Sequence, residues 1–386
     1  MASFLSRFNH YFVRGESGSG IDWLLFVSTL PLLGAGLVTM YAFTGTNQFF
    51  VHQMIWISVS IVAFFVLSAV DFRFLRATWV SVTLFSLSCL ALLALFVVGK
   101  VSHGAGSWLS FGAFSLEPAD PAKLMLIILL AKYFSRRHIE IRNVRHILVS
   151  GFYAFVVFAL ILVQPDLGSA LIVLLIWVGM ILVSGVSKKH LLIMTAIGLV
   201  ACAGLWLFVL KDYQKARIVN FVHPLADVQG TGYNAYQSTI AVGSGGFLGK
   251  GVGYGTQSRL KFLPEYQTDF VFAAFTEEWG FVGVLFLFFF FSILIWRIIR
   301  TAMSGATNFE ILYGAGVAIY FIVHILINVG MNMRLLPVTG TPLPFASYGG
   351  SHIFTEFVAL GILMGMRRYS RAAHKDATKN EFVGPR

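Results

Sequence analysis

In a chain this oily, the few carboxylates are the first place to look for chemistry. Asp269 stands in the run LPEYQTDFVFAAFTEEWGF (263–281), at the mouth of an apolar helix, with Glu277 and Glu278 about two turns deeper. Carboxylates at membrane depth are expensive to hold and usually mark function. An ionised Asp269 could act as a general base toward a hydroxyl held within hydrogen-bond reach, with no large pKa shift required. The same residue also suits the first turn of a helix capped by Thr268, where the dipole favours an acid. Glu277 and Glu278 read as structural acids that pair with a polar group on a neighbouring helix.

Four other constellations accompany it. In GAGSWLSFGAFSLEPADPAK (104–123), Asp120 and Pro121 read as an N-cap and first helical residue. Lys123 then opposes the helix dipole, so its amine either meets an anion at the membrane surface or snorkels toward water. Asp166, in QPDLGSAL (164–171), either caps the following helix or faces an external cavity. Lys211, Lys215, Arg217, Lys250, Arg259 and Lys261 suit anionic lipid headgroups or, more specifically, a pyrophosphate. The prolines and glycines of NVGMNMRLLPVTGTPLPFASYGGS (328–351) predict irregular backbone lining a cavity, with Thr339, Ser347 and Tyr348 as its polar groups. Glu356 is a buried acid with no partner evident in the sequence. The glycine-rich GSGGFLGKGVGYG (243–255) lacks the Gly-Lys-Ser/Thr of a nucleotide loop. It forms either tight turns or backbone amides that approach a phosphate. No zinc-ligand spacing links the ten histidines, and His103, His223 and His352 read as isolated surface or interface groups.

The elements that must position these residues follow from composition. Of 386 residues, 57% are hydrophobic and 12% charged. The long apolar runs predict an all-α polytopic membrane protein. About ten spans are expected, near 22–44, 50–69, 77–99, 119–134, 147–163, 168–186, 190–210, 270–298, 309–333 and 344–366. Most of the 28 basic residues, among them Arg73, Arg76, Lys132, Arg297 and Arg367, fall in segments that an inside N-terminus would leave inside. That predicts an N-in, C-in topology and accounts for the net charge of +11 without nucleic acid. A single domain is expected over 1–386. It has a cytoplasmic N-terminus (1–21) without a removable leader, a large extracytoplasmic loop (211–268) between spans 7 and 8, and a cytoplasmic tail (367–386). Tyr233, Tyr236 and Ile240 have helical spacing, so the large loop is expected to be ordered around a short amphipathic helix. No internal repeat argues for a transporter built from inverted halves.

Six of these pieces in order resemble the SEDS family (shape, elongation, division, sporulation) over nearly the whole chain. They are SW at Ser107–Trp108, QPDLG at 164–168, YQKARI at 213–218, GSGGFLGKG with GTQ at 255–257, LPE with TDF in 263–270, and LPVTG with LPFASYGGS in 336–351. The elongation branch is the better match. The resemblance implies a peptidoglycan glycosyltransferase that polymerises lipid II at the outer face of the cytoplasmic (inner) membrane. Asp269 is then the essential acid and base, and Trp108 a functionally sensitive residue beside the substrate. Lys123, Asp166, Lys215, Arg217 and Ser347 are further substrate-binding candidates. The leaving group would be undecaprenyl pyrophosphate carrying the glycan, its charge met by Lys123, Lys215 and Arg217. A divalent cation, magnesium or manganese, is a candidate cofactor with no ligands assigned. A class B penicillin-binding transpeptidase is the implied partner. Two departures stand out. The family's usual Gln-Pro-Ser-Glu is Glu117-Pro118-Ala119-Asp120 here, which shortens the carboxylate available to Lys123 or a metal. Arg334 stands where the family often has glycine. The competing readings are a lipid II flippase and a noncatalytic scaffold; polar residues gathered on the outer side favour surface chemistry.

Overall fold

A computed structural model describes residues 21–43, 48–98, 100–102, 105–111, 114–135, 144–185, 188–210, 212–222 and 232–380. Helices form at each of the ten apolar runs: α1 (Trp23–Phe43), α2 (Gln48–Ala69), α3 (Thr78–Val98), α4 (Ala119–Ser135), α5 (Val144–Val163), α6 (Leu167–Ser184), α7 (Lys188–Gly204), α11 (Val271–Met303), α12 (Asn308–Asn332) and α13 (Gly350–Asn380). Between α7 and α11 lie α8 (Asp212–Val222), α9 (Tyr233–Ser244) and the single turn α10 (Thr256–Arg259). Among the described residues, seven helices (α1, α2, α3, α5, α6, α11 and α12) are long and apolar enough to cross a membrane. The other three are the 17-residue α4 and α7 and the long α13, which turns basic from Arg367. Side chains such as Val62, Phe152, Leu192 and Phe289 are exposed and apolar, as contact with lipid tails requires. The chain is a multi-pass helical membrane protein.

The segment between α3 and α4 adds a small antiparallel meander not foreseen from sequence: β1 (Lys100–Ser102), β2 (Ala105–Phe111) and β3 (Phe114–Leu116), in the order β1-β2-β3. It lies against α3 and α13. The centre of the bundle is formed by α4 and α12. The first packs against α3, α5, α6, α12 and α13, and the second against α4, α6, α9, α11 and α13. Enclosure on so many sides puts the polar residues of both helices inside protein rather than in lipid, where they must find partners.

α11 is not one straight rod. At Gly280 its backbone leaves the helix (φ 63°, ψ −161°), a conformation open essentially only to glycine. The groups freed by the break are satisfied by the glycine-rich loop. Phe281 and Val282 donate N–H to the carbonyls of Gly246 and Phe247, while Lys250 and Gly251 donate to the carbonyls of Glu277 and Glu278. A Cβ at Gly249 (φ 80°) would fall on the Glu278 carbonyl oxygen, so the contact needs glycine on both sides. The two acids complete the clasp. Glu277 Oε1 accepts from Lys250 Nζ at 2.7 Å, Thr256 Oγ1 at 3.0 Å and Gln257 N at 3.2 Å. Glu278 Oε1 accepts from Gly253 N at 2.5 Å. Glu277 and Glu278 are therefore structural, as expected; this loop is a main partner of both, and Glu277 also bonds Thr256 and Gln257 of α10. The Lys250, Gly251 and Gly253 amides bind carbonyls and a carboxylate of the chain itself, so the glycine run forms a tight-turn clasp.

Two further features govern the ends of the bundle. α12 closes in a Schellman turn: Arg334 N donates to Met331 O at 3.2 Å and Leu335 N to Gly330 O at 2.7 Å. The residue at the turn must be left-handed, and Arg334 has φ 59°. That requirement explains why glycine suits the position. At the other end Asp22, beside the start of α1, accepts from Arg297 of α11 (Nη2–Oδ2 2.6 Å) and pairs with Arg367 of α13 at 2.8 Å. Arg297 and Arg367 entered the topology argument as inside charges; in the structure they are buried and compensated.

Gly280→Ala should destabilise the protein by at least about 1–3 kcal/mol, lowering its thermal unfolding midpoint in detergent. Gly34→Ala on α1, where nothing lies within 4 Å of the added carbon, should not. Arg334→Gly should leave stability unchanged or raise it by up to about 1–2 kcal/mol, the cost of left-handed backbone for a residue with a Cβ; denaturation of both proteins side by side reads the sign.

Candidate active site

Asp269 lies in the turn before α11 and is half-buried. Its backbone is held with unusual completeness. Its carbonyl accepts from the side-chain amides of Asn328 and Asn332, each at 3.0 Å. The same Asn332 amide accepts from Ala273 N at 3.1 Å. In an uninterrupted helix the Ala273 N–H would bond the Asp269 carbonyl directly. The asparagine amide is inserted in that place, opening the first turn while satisfying both groups. Asn328 also donates to Thr341 O at 2.7 Å, which fastens the irregular 334–349 segment to the same point.

That segment covers the turn. Ser347 is buried; its Oγ donates to Thr268 O at 2.5 Å and accepts from Leu343 N at 2.8 Å. Tyr348 N donates to Gln267 O at 2.7 Å, and Gln53 of α2 donates to Ser347 O at 3.0 Å. The Ser347 hydroxyl is thus fastened within the protein and does not line an open cavity, contrary to the expectation from sequence. Gly340 (φ 73°) lies so close that a Cβ there would sit 3.3 Å from Asp269 Oδ2. On its other side the loop abuts Gly168 of the QPDLG motif, where an added carbon would meet the Thr339 carbonyl at 2.6 Å. Asp166 caps α6, its Oδ1 accepting from Ser169 N at 3.0 Å. Thr268 does not cap α11: its hydroxyl bonds Glu265, and the cap position is Phe270 with no side-chain bond.

A second group is enclosed between α4, α12 and α13. Asp120 lies in the first turn of α4 and not at its cap. Its Oδ1 accepts from Lys123 Nζ at 2.9 Å, so the shorter acid still reaches the lysine. Asp120 Oδ2 lies 3.2 Å from His352 Nδ1, and His352 Nε2 lies 3.0 Å from Glu356 Oε1, off the line of a good hydrogen bond. Glu356 Oε2 accepts from Phe345 N at 3.0 Å. His324 faces His352 across 4.9 Å between ring centroids. Three sequence expectations change here. Lys123 is buried against Asp120 instead of meeting an anion at the membrane surface or snorkelling. His352 is an interior residue between two carboxylates, not an isolated surface group, and Glu356 has His352 as its partner. At the edge of the group Glu117 is half-buried, and burial followed by the nearby Asp120 and Asp166 charges pushes its carboxyl up to about 8.

The remaining candidates are less informative. Trp108 is on β2 with its backbone opposite Lys100, but its side chain and that of Arg217 lie outside the described residues. His103 and His223 also lie outside them. Lys215, on α8, is half-buried and forms no hydrogen bond or ion pair with Asp269 or Asp120 among the described residues. Asn328 and Asn332 were missed in the sequence. Their signal was the four-residue spacing of two amides on one face of an apolar helix.

Known proteins share this architecture. The family model for FtsW, RodA and SpoVE, described as cell cycle proteins, matches residues 21–372. Stage V sporulation protein E of Bacillus subtilis is 36% identical over 365 residues, covering 91% of this chain and 98% of its own. Peptidoglycan glycosyltransferase MrdB of Escherichia coli K12 is 35% identical over 294 residues, covering 76% of this chain and 79% of its own. Among solved structures, a chain of a peptidoglycan synthase complex that coordinates polymerisation and crosslinking superposes with a TM-score of 0.78 at 27% identity, covering 90% of this chain and 98% of that one. The rod shape determining protein RodA of Thermus thermophilus gives 0.67 at 28% identity, over 90% and 96%. With the span layout, the TDF turn and the LPVTG–SYGGS cover all in place, this chain belongs to the FtsW/RodA/SpoVE family.

Proposed function

We propose that this protein is a peptidoglycan glycosyltransferase of the elongation type, polymerising lipid II at the extracytoplasmic face of the cytoplasmic membrane. The observation that carries the mechanism is the contrast within one residue: the Asp269 backbone is locked by two buried amides while the residue is only half-buried, at the mouth of α11. A base held on fixed backbone loses little entropy when substrate arrives. Asp269 takes the proton of the acceptor sugar hydroxyl as that oxygen attacks the anomeric carbon of the lipid-linked glycan. The bond to undecaprenyl pyrophosphate breaks on the opposite side, so the centre inverts and no covalent enzyme intermediate is needed.

Lys215 and Arg217 supply donors to the departing pyrophosphate. Lys123, enclosed beside Asp120, contributes its charge from behind the site rather than by contact, and Ser347 holds the turn rather than the substrate. Trp108 positions the sugar-bearing headgroup from the outer meander. A divalent cation would add Lewis-acid charge to the pyrophosphate. Magnesium and manganese, which prefer oxygen ligands, do not match the nitrogen-bearing Asp120–His324–His352 group, which is enclosed behind the site with Lys123. Polyprenyl chains stay in the bilayer beside the exposed apolar faces. The likeness to a synthase complex supports a class B penicillin-binding transpeptidase as partner.

Asp269→Asn should abolish glycan polymer formation by purified, monodisperse protein supplied with lipid II. Retained synthesis would eliminate Asp269 as the base, whereas no polymer from the wild-type protein would leave flippase or scaffold as the reading. Asn332→Ala strands the Ala273 N–H, at a cost of about 1–3 kcal/mol if it stays unpaired, and leaves the Asp269 carbonyl held by Asn328 alone. It should lower turnover sharply with the protein still folded by circular dichroism; an unchanged rate would show that the asparagine does not position the base.

A further inference from the structure

We propose that Asp120, His324 and His352 hold a transition-metal dication of the zinc class. One ligand atom from each of these buried residues lies within 4.8 Å of the others. A tetrahedral ion with bonds of about 2.0–2.1 Å needs ligand atoms about 3.3–3.4 Å apart. The Asp120 Oδ2 to His352 Nδ1 distance of 3.2 Å is already close to that edge. His324 completes the triangle by a small ring movement.

Three further observations point to an ion. His324 is wholly buried, yet neither ring nitrogen has a well-aligned hydrogen-bond partner, with the Pro342 carbonyl and the Tyr320 and His352 rings around it. An unpaired imidazole in such a place is costly, and a metal bond would satisfy it. Next, the proposed ligands are backed by fixed groups. Lys123 Nζ engages Asp120 Oδ1, leaving Oδ2 for the ion. Glu356 Oε1 stands beside His352 Nε2 at 3.0 Å, off the line of a good hydrogen bond, while its Oε2 is tethered by Phe345 N. A carboxylate behind a ligating histidine is the usual outer support of metal sites. Finally, the charges ask for one. Asp120 and Glu356 both approach His352, and Lys123 pairs with Asp120; with a neutral imidazole one negative charge remains, which a proton or a dication balances. Two imidazoles with one carboxylate favour zinc or cobalt over magnesium, calcium or manganese.

The inference does not depend on the glycosyltransferase reading, and its test needs no activity. Full-length protein in detergent, stripped with chelator and dialysed against Zn2+ or Co2+, should retain one metal per chain by elemental analysis. The Co2+ form should show a visible d–d band. His324→Gln should abolish both, and Glu356→Gln should weaken Co2+ binding by about 10–100-fold without altering stoichiometry at saturation. Substoichiometric metal in monodisperse wild-type protein would overturn the proposal, as would equal binding by wild type and His324→Gln, which marks an adventitious ion only. If His324→Gln does not fold, X-ray absorption of the wild-type Co2+ form decides, because a first shell without imidazole scattering excludes the site.

Discussion

The side-chain amide of Asn332, wedged between the Asp269 carbonyl and the Ala273 N–H, is the contact on which the candidate active site turns. A helix entering at Asp269 would ordinarily close its first turn through those two groups. With the amide inserted, the turn opens, both backbone groups remain paired, and the Asp269 side chain stands at the mouth of α11. Asn328 doubles the restraint and ties in the 334–349 segment. Removal of the Asn332 amide would strand the Ala273 N–H and halve the hold on the Asp269 carbonyl, and for this reason the geometry is stiff.

The same economy recurs wherever charge enters the bundle. Asp22 answers two arginines from different helices, Glu277 answers Lys250 and the amides of a loop, and Asp120 answers Lys123 and His352. An isolated buried charge is far more costly than a pair, so each acid becomes a junction between chain segments distant in sequence. These junctions also divide the labour. The Asp22 pair ties α1, α11 and α13 together, the Glu277 clasp supports the break in α11, and the Asp120 group lies behind the QPDLG and SYGGS motifs. Asp269 stands outside all three.

Much of this was legible in the order of the residues. Apolar runs of 16 to 29 residues have only one stable form in lipid, so helices appear at each place expected. The glycine run around Gly249 announced tight turns, and two adjacent glutamates announced a structural pairing. The partners were not legible. The acids meet a loop whose backbone enters the break in α11, a match of shape that no spacing encodes. His352 and Glu356 show the same limit from the other side: i,i+4 spacing suggests they meet, but only the packing of α4 and α12 against α13 supplies Asp120 and His324.

The sequence by itself determined the class of fold, the family and the position of the acid at the head of α11, because hydrophobic length and ordered motifs are local properties of the chain. Tertiary structure alone decided which groups surround each charge. Asp120 and His352 are separated by 232 residues and Asp22 and Arg297 by 275, and they meet only through enclosure by third helices. Local pattern governs which segments enter the membrane; the cost of leaving a charge unpaired there governs which segments must then touch.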